Sequence, residues 1–309
     1  MAKYLVTGGA GFIGGHLTQS LAQAGHQIVV VDDLSTGSTA NLAPGVVLIQ
    51  ADIRDHGRVA RVAAGCDAII HLAAIASVMR YGDDWQEASA VNLGGTISVM
   101  RAAAAAAIPV IYASSAAVYG AALDLPIAET TAPRPISGYG ADKLACELHA
   151  TAMADVDGLA SVGLRFFNVY GPRQLRGSAY SGVITNFLDR WQNGEALQIF
   201  GDGTQSRDFI YVGDIVRAII AAIALATQGG AHRFNICSGT PTTINDLVAL
   251  LTDATGHAFE TQNLPARSGE IVHSLGDGHQ ARALMGFEPS VSMDTGLTSL
   301  AEWFRSTPT

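Results

Sequence analysis

"VTGGAGFIG", residues 6–14, sets Gly8, Gly11 and Gly14 at intervals of three between a short β-branched run and an amphipathic stretch that begins at Phe12. A glycine loop joining a strand to a helix lets the backbone approach a pyrophosphate and points the helix's unpaired N–H groups at it. The spacing alone is a weak signal, because glycines also serve turns and close packing. Asp32 strengthens it by ending the next strand-like run, "QIVVVD", residues 27–32. An acid there can accept from both ribose hydroxyls of an adenosine, and its charge repels a 2′-phosphate. No arginine stands near it in sequence to hold such a phosphate, so the pattern favours NAD over NADP.

Outward from that loop, "KYLVT", "QIVVVD", "VVLIQAD", "AIIHLAA" and "PVIYAS" alternate with helical stretches. These runs are apolar throughout instead of alternating, as parallel strands covered on both faces require. The expected fold class is α/β, a Rossmann-type doubly wound parallel sheet with a smaller, mixed α/β lobe toward the C-terminus. "RAAAAAAIP" reads as a close-packed helix stopped by Pro109, since alanine is the best helix former. After Gly171-Pro172 the rhythm changes to shorter elements and Gly/Ser loops such as "RGSAYSG", "FGDGTQSRD" and "PARSGE". This places a cofactor-binding domain at residues 1–169 and a substrate lobe at 170–309. "VGDIVRAIIAAIALA" and "RFNIC", within residues 208–240, are expected to weave back to the first domain.

About half of the 309 residues are apolar and 15% are charged, the composition of a packed globular chain. A net charge of −9 without a basic run argues against a nucleic-acid partner. No secretion signal is expected, because Met1-Ala2-Lys3 leads straight into the first strand. No membrane partner is expected either, because the longest apolar run, residues 218–226, is too short to span a bilayer. Cys66, Cys146 and Cys237 are odd in number and lack a CxxC pair, so they read as reduced side chains of a cytoplasmic protein. The nine histidines form no HxH or HExxH pattern, and no metal site is expected.

Only two lysines occur in the chain, Lys3 and Lys143, although lysine and arginine together number 18. Lys143 closes "YGADK", four residues after Tyr139, so on a helix the two side chains share a face. A phenol is a poor base at neutral pH, and a nearby ammonium favours its phenolate. A compact ammonium can serve both the tyrosine and a cofactor ribose, where a planar guanidinium fork could not. "SSAAVYG", residues 114–120, ends the strand "PVIYAS", and strand C-termini are where open α/β sheets place ligands. Ser115 can there donate to a substrate oxygen while Tyr139 exchanges its proton.

With these motifs in place the chain resembles the extended short-chain dehydrogenases/reductases, in their nucleotide-sugar epimerase/dehydratase branch. The resemblance runs nearly end to end, through "TGGAGFIG", "DDLSTG", "ADIRD", "HLAA", "NLGGT", "SSAAVYG", "YGADK", "RFFNVYGPRQ" and "GDGTQSRDFIYV". It implies that Gly8, Gly11, Phe12, Ile13, Asp32, Asp33, Ser35, Thr36 and Gly37 hold NAD from the glycine-loop side. By the same resemblance Asp52 and Ile53 sit at the adenine, and Leu72, Ala73 and Ala74 pass beside the nicotinamide side. Asn92, a structural hydrogen-bonder, and Ser114 complete the cofactor group, with Tyr139 and Lys143 shared between cofactor and catalysis. For the substrate it implies Ser115 at the sugar and Asn168 at a diphosphate, with Arg207 and Arg267 as counter-ions and Glu270 at the ribose. Val183, Phe187, Gln198 and Phe200 flank the base in this reading.

Members of the branch begin by removing hydride from a sugar, and the later steps depend on further acids and bases. The positions that resemble the Asp and Glu of the dehydratases are Ala116 and Ala117, which can neither donate nor accept a proton. Dehydration is therefore disfavoured. The resemblance then implies reversible 4-epimerisation of a UDP-hexose, with bound NAD regenerated each turnover. Ser274, seven residues after Arg267, resembles a gate residue beside the sugar, and a small serine leaves room for a 2-N-acetyl group. Arg176 raises an alternative, since a guanidinium could meet the 6-carboxylate of UDP-glucuronate, for epimerisation or decarboxylation. A dehydratase, a reductase and a non-catalytic NAD-responsive binding protein stay open as further alternatives. The family also implies a homodimer, through helices that here contain residues 92–107 and 139–154.

Overall fold

The computed structural model describes residues 1–76, 80–177, 181–267, 269 and 271–307. The first half runs β1 (Lys3–Thr7), α1 (Phe12–Gln23), β2 (Gln27–Asp32), β3 (Val47–Gln50), α2 (His56–Ala63) and β4 (Ala68–His71). It continues through α3 (Arg80–Asp83), α4 (Trp85–Ser89), α5 (Thr96–Ala105), β5 (Val110–Ser115), α6 (Gly138–Asp157) and β6 (Ser161–Phe166). The second half holds β7 (Asn168–Tyr170), α7 (Val183–Gln192), β8 (Leu197–Phe200), β9 (Ser206–Tyr211) and α8 (Val212–Ala226). After these come β10 (Ala231–Ile236), β11 (Pro241–Thr243), α9 (Ile244–Thr255), β12 (Thr261–Leu264), α10 (His279–Met285) and α11 (Met293–Ser306).

Seven strands form one sheet in the order β10-β6-β5-β4-β1-β2-β3, and every pairing in it is parallel. The apolar runs of the sequence follow from this: Tyr4 and Val6 join the core under α1 and α8, while Leu5 joins the core on the opposite face with Val59, Val99 and Ala150. Burying each such aliphatic side chain contributes about 1.5–3 kcal/mol, so both helix layers are strongly held to the sheet. The order reverses between β1 and β4, and that reversal opens a crevice at the strand C-termini where ligands settle.

The chain does return to the main sheet after leaving it. α8 packs on the α1 face and β10 pairs with β6. The smaller lobe is built from β11-β9-β7 and β12-β8, with α7, α9 and α11 over a separate core that includes Phe187, Leu247 and Phe304. β7 starts two residues after β6, so β6 hands the chain directly into the smaller lobe.

Candidate active site

β1 ends at Thr7 and the chain turns at Gly8 with φ at +68°, a backbone state that favours glycine. A Cβ at Gly8 would lie 2.5 Å from the Ala73 nitrogen, so the loop is pressed against the segment that leaves β4. A Cβ at Gly14 would lie 2.2 Å from the Gly8 carbonyl oxygen, which lets the helix start directly beneath the loop. α1 begins at Phe12 with Gly11 as N-cap and no side-chain cap. The N–H groups of Phe12 and Ile13 therefore have no partner among the described residues, which is the arrangement an anion completes.

Asp32, at the end of β2, accepts from the N–H groups of Ala10 and Leu34, both at 2.9 Å. Burial pushes its pKa up, but two backbone donors hold the carboxylate in place and leave lone pairs for ribose hydroxyls. Asp33 accepts from the N–H and hydroxyl of Ser35, and Ser35 and Thr36 form an exposed rim. Gly37 packs against the Ala10 backbone. Asp52 is gripped by Arg54, which holds its pKa down and also reaches Glu87. Ile53 is buried against Gly95. The glycine cradle, the unpaired helix start and the pinned Asp32 together fit NAD: Gly8, Gly11, Phe12 and Ile13 would hold its pyrophosphate and Asp32 its adenosine ribose.

Two residues grouped with the cofactor bond to protein groups, Asn92 as the structural hydrogen-bonder expected. The Asn92 amide is committed to protein groups, accepting from Ile75 N–H at 2.8 Å and donating to the Ile75 carbonyl and the Tyr81 hydroxyl. It holds the segment after β4, beyond Leu72 and Ala74, and has no donor left for NAD. Ser114 is buried, and its hydroxyl donates to Glu147 at 2.6 Å, so only its main chain can face a cofactor.

Beneath the crevice lies a chain of hydrogen bonds that no sequence motif announced. Thr96 donates its hydroxyl proton to the Asn92 carbonyl, so it can only accept from His71 Nε2–H, at 2.9 Å. His71 Nδ1 then accepts from the Thr7 hydroxyl at 2.7 Å, which fixes the tautomer. Burial, reinforced by the charge of Lys143, pushes the His71 pKa down to about 3. The unfolded chain protonates this histidine below pH ~6.5, and the folded one does not until about 3. Its stability contribution is thus full above pH ~6.5 and is lost as pH falls, by about 2 kcal/mol between pH 6.5 and 5. Urea denaturation at pH 7 and pH 5 should show this loss in the wild type, with a difference smaller by about 2 kcal/mol in His71→Gln. Equal pH dependence in both proteins would contradict the assignment.

Ser137 caps α6 by accepting from Gly140 N–H, and Tyr139 lies in the first turn. A Cβ on Gly140 would come 2.5 Å from the Ala117 carbonyl oxygen. The glycine inside "YGADK" thus lets the helix abut the turn after Ser115, bringing Ser115 and Tyr139 to one place. Ser115 Oγ accepts from Ala117 N–H at 3.1 Å, which leaves its hydrogen free to donate. The Tyr139 hydroxyl has no hydrogen-bond partner among the described residues. Lys143 is buried, with Nζ 5.7 Å from the Tyr139 ring centroid and donating to the Ala113 carbonyl at 2.7 Å. Asp142, between them, accepts from Tyr81 at 2.6 Å and from Ser89 at 3.2 Å, anchoring the helix start. The Tyr81 ring meets Tyr139 edge-on at 6.5 Å.

In the smaller lobe Asn168 opens β7, and its side chain makes no hydrogen bond among the described residues. Its strand neighbour β9 carries Arg207, which donates to the carbonyls of Ser206 and Val272. Ser274 N–H donates to Ser206 O at 3.1 Å, which puts Ser274 beside Arg207. Asp208 fixes that loop, accepting from the N–H groups of Ser238, Gly239 and Gly276. On β8, Leu197 and Ile199 turn into the core while Gln198 and Phe200 share the other face. Arg267 lies 3.8 Å over the Phe200 ring, so these two residues meet. Val183 is half-buried at the start of α7. Glu270 lies outside the described residues.

Phe187 is a correction. It is 2% exposed in the core of this lobe, one turn beyond Val183, so its ring packs against protein and does not flank a base. Arg176 is also not free for a carboxylate. It pairs with Asp189 at 2.8 Å, donates to the Thr307 carbonyl and stacks 4.2 Å over Phe304, tying its loop to α7 and α11.

Residues 4–237 match the NAD dependent epimerase/dehydratase family. The UDP-glucose 4-epimerase of Mycolicibacterium smegmatis is 35% identical over 313 residues, covering 98% of this chain and 99% of the relative. Among solved structures, the UDP-N-acetylglucosamine 4-epimerase of Methanobrevibacter ruminantium, in complex with UDP-N-acetylmuramic acid, is 34% identical. It superposes with a TM-score of 0.94 over 99% of this chain and 98% of its own. The UDP-glucose 4-epimerase of Thermotoga maritima, with UDP-glucose, is 36% identical at a TM-score of 0.93, over 98% and 99% of the two chains. The chain belongs to the NAD-dependent epimerase/dehydratase family.

Proposed function

We propose that the protein interconverts UDP-glucose and UDP-galactose by NAD-dependent 4-epimerisation through a transient 4-keto sugar, and also accepts UDP-GlcNAc and UDP-GalNAc. The observation that carries the reaction type is that the helix bearing Tyr139 and Lys143 abuts, at Gly140, the turn that follows Ser115, with alanines at 116 and 117. The relatives' names supply the nucleotide.

When bound, NAD supplies a hydride acceptor that later gives the hydride back. Tyr139 takes the proton of the sugar 4-hydroxyl, and Lys143 opposes the negative charge that a proton-accepting phenol carries. Ser115, which accepts from Ala117 N–H and keeps its own hydrogen free, donates to the same oxygen and holds it. Once the keto sugar has turned over about its diphosphate link and presents its other face to the returning hydride, Tyr139 gives the proton back to the 4-oxygen. Asn168, Arg207 and Arg267 would anchor that diphosphate, and Gln198, Phe200 and Val183 the nucleoside. Ala116 and Ala117 offer no acid or base to expel water. The uronate alternative loses its cation, since Arg176 is committed elsewhere.

Purified protein given UDP-glucose without added NAD should form UDP-galactose, followed by the anomeric proton signals. An unchanged spectrum, with NAD supplied as well, would contradict the reading. Ser274→Tyr narrows the sugar site, and should lower turnover of UDP-GlcNAc at least about tenfold more than that of UDP-glucose. Equal losses on both substrates would remove Ser274 as the gate.

Two chains would pair through α5 and α6, the apolar exposure lying on α6. Leu148 is 61% and Val156 81% exposed, two turns apart on α6 with Ala152 between them. Leu148→Glu should shift the sedimenting species from dimer to monomer, whereas an unchanged mass would clear this face of the role. No helix among the described residues is long and apolar enough to cross a membrane. Three buried free cysteines support a reducing, cytoplasmic setting.

A further inference from the structure

Glu147 and Arg165 form an ion pair that touches neither the cofactor cradle nor the sugar site. Arg165 Nη2 donates to Glu147 Oε2 at 2.6 Å and Nε to Oε1 at 2.8 Å, with side chains 3% and 1% exposed. Buried charge of this kind gives little stability over a well-packed apolar pair, so its position invites another account. Glu147 follows Lys143 by four residues and Tyr139 by eight, so all three lie along one face of α6.

The sheet supplies the other half. Ser114, Arg165 and Asn235 are register partners across β5, β6 and β10, forming one polar row beneath that helix face. Ser114 donates to Glu147 at 2.6 Å, and Arg165 Nη1 donates to the Tyr119 hydroxyl, also at 2.6 Å. The Tyr119 hydroxyl donates a hydrogen bond to Asn235 Oδ1, and Asn235 Nδ2 donates to the carbonyls of Ile127 and Asp277. Three successive residues of β5 are thereby assigned: Ala113 is held by Lys143, Ser114 by Glu147, and Ser115 is left to act.

We infer that Glu147 and Arg165 are positioning residues that set the register of the Tyr139–Lys143 helix against the Ser115 end of β5. This rests on the epimerase reading, in which one fixed frame serves both faces of a sugar that turns over between two half-reactions. An apolar contact tolerates sliding, but a fully paired polar row admits one register. Asp142 holds α6 between Tyr139 and Lys143, so the helix is pinned within the catalytic pair and, through Glu147, after it.

Glu147→Met/Arg165→Met removes the pair without leaving a buried charge, and Ser114→Ala removes only the link to β5. In the double variant kcat on UDP-glucose should fall about 30- to 100-fold, as for a misplacement near 1 Å, with KM within about twofold of wild type. Ser114→Ala should lose about fivefold in kcat, with an unchanged melting temperature. The crystal structure of the double variant should show α6 displaced along β5, with the Lys143–Ala113 bond broken. Wild-type kcat in both variants, or a helix that has not moved, overturns the inference. If the wild type itself does not convert UDP-glucose, the epimerase reading falls instead, and the crystallographic arm still decides whether the pair sets the register.

Discussion

Tyr139→Phe should lower kcat by about 10³ while leaving NAD content and melting temperature where they are, because only the proton-transfer group is lost. The hydroxyl has no hydrogen-bond partner among the described residues, so its removal deprives the folded protein of nothing. The ring keeps its edge-on contact with Tyr81 and its place near Lys143. The loss therefore appears in steady-state turnover of UDP-glucose and in reduction of bound cofactor during a single turnover, with thermal melting as the control. A protein that only sensed NAD would be indifferent to the change. Retained turnover would mean that another group moves the proton.

The second large effect is expected at the cradle. Gly14→Ala adds a Cβ 2.2 Å from the Gly8 carbonyl oxygen and 2.7 Å from the Gly9 Cα, both backbone atoms that cannot rotate away. Either α1 or the loop must shift. Overpacking of this kind costs about 1–3 kcal/mol of stability. The shift also moves the unpaired N–H groups of Phe12 and Ile13, and a displacement near 1 Å at such a site costs about 10²-fold. The variant should be purified largely without NAD, melt lower, and recover part of its activity when NAD is added in excess. Wild-type NAD content would show that the pyrophosphate does not sit on this loop.

The first half of the chain was legible because its signals are local and continuous. A doubly covered parallel strand must be apolar throughout, so "QIVVVD" and "AIIHLAA" announce β2 and β4, the glycine loop follows β1 directly and Asp32 ends β2. Tyr139 and Lys143 were readable from helical spacing. Glu147 continues the same face at the next interval of four, and that spacing could have found it, but a lone glutamate is ordinary on a helix surface. What made it informative, Arg165, stands 18 residues away and is brought there by strand register. The same limit explains Ser114: adjacent serines in one strand look alike, yet successive strand residues face opposite sides, and one of the two meets Glu147.

In the smaller lobe the elements are short, and sidedness was harder to read. Phe187 shares a helical face with Val183, but α7 turns that face so that Phe187 lies in the core while Val183 remains at its edge. Arg176 looked available for an anion because its partners Asp189 and Phe304 are distant in sequence. Asn92 was expected to form structural hydrogen bonds; which groups it holds became visible only with Ile75 and Tyr81 folded around it.

The central claim is that hydrogen leaves C4 of the sugar and returns to the same carbon, on the other face, within one protein frame. UDP-glucose carrying deuterium at C4 tests it most directly. Single-turnover conversion in ordinary water should give UDP-galactose with the deuterium still at C4, read by the collapse of the C4 proton signal in NMR. Deuterium lost to solvent, or product inverted elsewhere in the ring, would contradict the assignment of Ser115, Tyr139 and Lys143 to a closed oxidation and reduction at C4.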